Sequence, residues 1–220
     1  MKLTCRFKGK KPVPAKKLFI GSRSIIKMRV AKIYEHDSRT ALVSKIFDEL
    51  IISPSLHLPF ESIELHIRDT DISLVDGNNG IVCLNYNNPL ILDKDARGVR
   101  TLVMHELFRL MFKSDLPREI EDVIIGREML KRGFGDELCY MYYVRVLRSS
   151  PESLRDYLRC SIPWIVFFKD DKYNSELFRK LVPNVCKKKF PESKRLIDLL
   201  ADLSQKNLAE AADEYRTLLK

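Results

Sequence analysis

Leu102-Val103-Met104-His105-Glu106-Leu107-Phe108-Arg109-Leu110-Met111-Phe112 carries eight apolar residues in eleven. Wound as a helix it leaves no continuous solvated face, so the spacing predicts a buried helix. Its three polar residues then need an account, because imidazole, carboxylate and guanidinium groups are costly to bury unless they satisfy one another or a bound ion. Arg109 stands over both His105 and Glu106, four and three residues earlier, so the three form one polar stripe. A buried stripe of this composition is a candidate functional site.

Upstream, Leu42, Val43, Ile46, Phe47, Leu50 and Ile51 recur three and four apart, with Ser38 as an N-cap and Pro54 as a stop, and predict a helix over 39–52. Ile63, Leu65 and Ile67 alternate with Glu64 and His66, which reads as a strand with one wet face. Between Asp71 and Leu92 lie an apolar run (Ile72, Leu74, Val75), the turn signal Asp76-Gly77-Asn78-Asn79-Gly80, a strand from Ile81 to Tyr86, and Leu90 to Leu92. Together these predict a meander of short strands. Asp93 is the expected N-cap of the central helix, which then runs to about Phe112.

Downstream, Pro117 suits the opening of a second helix that ends at Gly133, with Glu119, Glu121 and Asp122 in the first turn, where the helix dipole favours acids. Glu121, Ile124, Ile125 and Glu128 share one face of it. The rest of the chain is helical in pattern: a tyrosine-rich stretch at 139–147, a helix from Leu154 to Ile165 broken by Pro163, and three more over 177–182, 196–203 and 208–219. The expected class is α+β, with a short, mostly antiparallel sheet packed on the central helix and a helical C-terminal part. Residues 1–36 form a basic arm, 37–133 the α+β core and 134–220 the helical region.

A chain of 220 residues that is 45% hydrophobic and 31% charged can bury one good core and is not a disordered tail. No apolar run reaches the roughly 18 to 20 residues needed to span a bilayer, and no apolar signal core is present, so the expected location is the cytoplasm, with no membrane partner. The five cysteines are single and scattered, which argues against both a disulfide framework and a cysteine zinc site. The formal net charge is +9, yet residues 1–34 hold eleven Lys and Arg and no acid, so the remainder sums to −2. That arm is expected to bind polyanions weakly and without sequence preference.

His105-Glu106-Leu107-Phe108-Arg109 matches the His-Glu-x-x-His pattern except at its fifth position, and in this it resembles the zincin metallopeptidases. In that family two imidazoles one turn apart hold zinc, and the glutamate takes a proton from the metal-bound water. The glutamate-type members (gluzincins, among them the compact minigluzincins and a zincin-like group associated with archaea) take their third ligand from a glutamate on the following helix. The resemblance spans roughly residues 60–132. It implies His105 and Glu121 as metal-ligand positions, with Glu128 as second choice, and Glu106 as a vestigial general base. It also implies that an extended peptide or protein adds to an edge strand, assigned to Ile81, Val82, Cys83, Leu84, Asn85 and Tyr86.

The departure at Arg109 changes the expected function. A guanidinium stays protonated and offers no lone pair, so it cannot replace the second imidazole as a ligand. The expected protein is a non-catalytic pseudo-peptidase with a binding or assembly role, without a zinc cofactor, in which Arg109 replaces the ion and bonds Glu106 or Glu121. Two alternatives stand beside it: a zinc metallopeptidase with an altered ligand set, and a nucleic-acid-associated module that binds through the basic arm.

Overall fold

The computed structural model describes residues 29–33, 37–53, 56, 58–70, 73–112, 115–168, 170, 172–173, 175–185, 190–203 and 207–219. Most of the basic arm, with its expected polyanion contacts, lies outside the described residues, as do Pro54 and Ile72.

The chain is α+β. Strand β1 (Arg29–Ile33) leads to helix α1 (Ser38–Ile51), then strands β2 (Ser62–Arg68), β3 (Leu74–Asp76) and β4 (Ile81–Asn85). The carboxylate of Asp37 caps α1 by accepting from the Arg39 and Thr40 N–H groups, and Thr40 Oγ1 accepts from the Asp37 N–H in return. This reciprocal box places the cap one residue before the expected Ser38. Lys32 of β1 reaches across to α1, donating to Ser44 Oγ and Asp48 Oδ2, both at 2.6 Å, so one charge of the basic segment is engaged in fixing the fold.

The sheet order is β1-β2-β4-β3. β2 is parallel to both β1 and β4, and only the β3–β4 pair is antiparallel, which corrects the expected mostly antiparallel meander. The physical reason is that α1 serves as the crossover a parallel β1–β2 pair requires, while the turn at 76–80 closes a single hairpin. Gly80 has φ +68°, and a Cβ there would stand 2.5 Å from the Ser62 carbonyl oxygen, so the turn needs glycine on two counts. On β2, Ile63, Leu65 and Ile67 point into the core, as their alternation predicts.

Leu90 to Leu92 belong to a short helix, α2 (Pro89–Leu92), and not to a strand: Asn88 caps it and Pro89 opens it. Helix α3 (Ala96–Phe112) therefore begins three residues after the expected cap. Asp93 closes α2, and Asp95 caps α3 by accepting from the Gly98 N–H through Oδ1 (3.1 Å).

Every residue of α3 from Thr101 to Leu110 is buried. The helix has α1, β3 and β4 packed on it, as well as α4 (Arg118–Lys131) and α5 (Gly135–Leu147). Beyond it come α6 (Leu154–Val166), α7 (Ser175–Val185), α8 (Ser193–Ala201) and α9 (Leu208–Leu218). Pro163 does not break α6, which continues to Val166: the proline forgoes the one bond its own N–H would have made to the preceding turn, and the Phe167 N–H bonds its carbonyl. One continuous apolar core runs from Val43 to Tyr215 through both the α+β part and the later helices. Among the described residues no helix is long and apolar enough to cross a membrane.

Candidate functional site

Arg109 is 7% exposed and its guanidinium is surrounded by four polar side chains. Nη1 donates to Glu106 Oε2 at 2.6 Å, and Nη2 donates to Asp122 Oδ1. Nε lies 3.6 Å from Glu121 Oε2, an ion pair beyond hydrogen-bond length. Nη2 also stands 3.2 Å from His105 Nε2. His105, Glu106 and Arg109 come from one face of α3; Glu121 closes the first turn of α4 and Asp122 opens the next, and α4 packs alongside α3.

His105 Nε2 lies 3.3 Å from Asp122 Oδ1 as well. With its proton on Nε2 the ring donates to Asp122; with the proton on Nδ1 it accepts from Arg109 instead. Nδ1 is buried and makes no hydrogen bond among the described residues. Burial alone would push the Asp122 carboxyl up, but the Arg109 guanidinium, followed by His105, holds it well below the usual carboxylate range. Burial works against the Arg109 charge too, and the carboxylates of Asp122, Glu106 and Glu121 reverse it, leaving the guanidinium held more tightly protonated than in water.

These donors do not fit zinc while Arg109 stands among them. A fixed positive charge occupies the space between the carboxylates, and the one imidazole nitrogen that faces it is engaged by the guanidinium or by Asp122. Among the described residues no group of three or more His, Cys, Asp or Glu side chains is arranged to hold a metal ion.

A cleft of about 360 Å³ opens beside the cluster. His105, Glu106, Arg109 and Asp122 form its buried wall; Ser73 and Asn85 reach it from the sheet; Leu90, Leu102, Met141 and Val144 give it apolar surface. Four more arginines line it: Arg118, Arg145, Arg148 and Arg159. Arg148 pairs with Asp93 at 2.5 Å, and Arg159 with the buried Glu119 at 3.0 Å. Arg118 and Arg145 make no ion pair or side-chain hydrogen bond among the described residues. Burial, followed by repulsion from Arg109, holds the Arg118 pKa below the ordinary arginine value.

The structure brings His105, Glu106, Arg109 and Glu121 together, but Asp122, which sequence reasoning passed over, is the buried carboxylate of α4. The signal for it was present: Asp122, Ile125, Gly126 and Met129 recur at three and four and are all buried, one residue round from the face taken as inward. Glu128, the second choice, pairs with Arg132 at 2.8 Å on the surface. The assigned edge strand is corrected: β4 lies inside the sheet, its two sides taken by β2 and β3, so it offers no free ladder to a peptide. Tyr86 lies past its end and donates to Asp37. Arg118 and Arg145 had no sequence signal, because one opens α4 and the other is a single cation on a mixed helix.

No family model, curated protein or solved structure matches this chain.

Proposed function

We propose that this protein is a zincin-like binding protein without peptidase activity, in which Arg109 takes the place that a zinc ion holds in metallopeptidases. One observation carries the reading: a single guanidinium is shared by Glu106 and Asp122, with Glu121 and His105 at its margin. The order of elements supports it, since a small sheet precedes the His-Glu helix and a helix bearing acids follows it. With Arg109 fixed between the carboxylates, Glu106 is committed to an ion pair and is not free to accept a proton from water. The role left to the site is to hold a ligand in the adjoining cleft. The thiols of Cys83 and Cys139, which stand in no disulfide, support a reducing, cytoplasmic setting.

The test is metal analysis of the purified full-length protein, together with a peptide-hydrolysis assay in the presence and absence of a zinc chelator. The expected result is no stoichiometric zinc and no chelator-sensitive hydrolysis. One zinc per chain, or hydrolysis abolished by the chelator, would overturn the proposal.

A further inference from the structure

We propose that the cleft beside Arg109 binds a small phosphorylated molecule, with the phosphate held by Arg118 and Arg145 and the body of the ligand against the cleft's apolar surface. The inference deepens the binding role above and rests on it in one respect: Glu106 and Asp122 are engaged by Arg109 and not by a metal.

The argument begins with donors and acceptors. The acceptors on the cleft wall, Glu106 and Asp122, are already bonded to Arg109. Arg148 and Arg159 have carboxylate partners of their own. Arg118 and Arg145 each carry five N–H donors and have no carboxylate or side-chain acceptor bonded to them among the described residues. The cleft therefore presents an excess of cationic donors, and its complement is an anion rich in acceptors.

The placement of Arg118 adds to this. It is the first residue of α4, where the helix dipole disfavours a cation, and Pro117 before it supplies no side-chain cap. It is half-buried; Arg109 and, less strongly, Arg145 oppose its charge, and the attraction of Asp122 and Glu106, both already bonded to Arg109, only partly offsets burial and repulsion. Two guanidinium groups that repel each other across one cleft are brought into balance by a dianion between them. Their planar forks suit the paired oxygens of a phosphate, and a phosphate monoester matches two such charges where a single carboxylate matches one.

The remainder of the cleft sets the ligand's size and character. Its volume of about 360 Å³ falls in the range for a small organic molecule. Leu90, Leu102, Met141 and Val144 offer apolar contact to the part of the ligand that is not phosphate. Ser73 Oγ accepts from the Asn85 N–H at 3.2 Å, which leaves its own proton to donate to a polar group.

Phenyl phosphate, inorganic phosphate and benzoate separate the parts of this proposal. In calorimetric titrations of the full-length protein at matched ionic strength, phenyl phosphate should bind most tightly, inorganic phosphate more weakly, and benzoate at least tenfold more weakly than phenyl phosphate. Replacing both Arg118→Gln and Arg145→Gln should weaken phenyl phosphate at least tenfold, and Lys10→Gln with Lys11→Gln in the arm should leave it unchanged. Absence of saturable binding, equal binding of benzoate, or loss through the arm substitutions alone would overturn the proposal. So would displacement of phenyl phosphate by a short glutamate-rich peptide at lower concentration, which would make the ligand a peptide. If the double variant does not fold, arginine labelling of the unmodified protein by phenylglyoxal decides. Phenyl phosphate should shield Arg118 and Arg145 from modification, and unshielded labelling at both would refute the site. Zinc content measured on the same preparation keeps the two proposals apart, since zinc-free protein that ignores phenyl phosphate defeats only this one.

Discussion

Arg109 donates through Nη2 to Asp122 Oδ1, thirteen residues further along the chain, and so ties α3 to α4 at the buried wall of the cleft. The same guanidinium holds Glu106 on its own helix. A planar group with fixed donors can satisfy two carboxylates at once, which a point charge on a flexible stem does less well. The bonded cluster is thus both a joint of the fold and a boundary of the cleft.

Arg109→Ala leaves Glu106 and Asp122 buried without their counter-charge. The loss should be on the order of 3 to 5 kcal/mol, as for other buried pairs broken from one side. Arg109→Lys should lose less, because it keeps the charge while giving up the fork. Urea denaturation of the three proteins checks the order, and an Arg109→Ala protein as stable as the unmodified one would show that the guanidinium contributes nothing there.

Acid should act through Asp122. Its folded pKa is depressed, so its contribution to stability is complete above the unfolded value near ~4 and is lost as pH falls from there toward the folded value. Asp122→Asn should lower stability at neutral pH and flatten its decline below about pH 4. Stability from urea titrations between about pH 2 and 6 would show two diverging curves if Asp122 is so placed, and two parallel ones if it is not.

The periodicity of 102–112 announced a buried helix with an internal polar stripe, and α3 is buried through all of it from Leu102 to Leu110. The α+β class was legible for the same reason: the period changes from two at Ile63, Leu65 and Ile67 to three and four in the helices. Strand pairing was not legible. Which strands lie side by side is settled by the β1–α1–β2 crossover, a long-range arrangement that alternation within a single strand does not encode. The site divided along the same line. His105, Glu106 and Arg109 share one helix and could be read together, whereas choosing Asp122 over Glu121 required the rotation of α4 about its axis. A turn of one residue, about 100°, separates them.

That rotation is set partly by Gly126. A Cβ there would come within 2.8 Å of both Tyr142 Oη and Val166 Cγ2, so α4 packs against α5 and α6 through a bare backbone. Gly126→Ala should gain about 1 kcal/mol of helix propensity and lose about 1 to 3 kcal/mol to overpacking, a net effect between about zero and about 2 kcal/mol of destabilisation, and the two contacts below 3.0 Å put it toward the larger figure. Among the described residues Tyr142 Oη is buried without a hydrogen-bond partner, so Tyr142→Phe removes one of the two obstacles at little cost. The double variant Gly126→Ala with Tyr142→Phe should melt above Gly126→Ala alone; equal melting temperatures would place the clash elsewhere.

The most direct challenge to the proposed replacement of an ion by a side chain is to reverse it. Arg109→His removes the fixed charge from among Glu106, Glu121 and Asp122 and puts a second imidazole one turn from His105, with the intervening Glu106 unchanged. His105 Nε2, which now faces the guanidinium, would face the vacated space, and a carboxylate of α4 stands across from it: Asp122 is the closer bonded partner of the present arginine, Glu121 the more distant. Two imidazoles and one carboxylate make a three-residue set for zinc with a position left for water. The variant should therefore bind one zinc per chain, measurable by elemental analysis after dialysis, and its melting temperature should rise with added zinc as binding stabilises the folded state. Adding Asp122→Asn should abolish uptake if Asp122 supplies the carboxylate, and Glu121→Gln should do so if Glu121 does. An Arg109→His protein that folds and takes up no zinc would show that the space Arg109 fills is not shaped for a metal, and the zincin-like reading would fail with it.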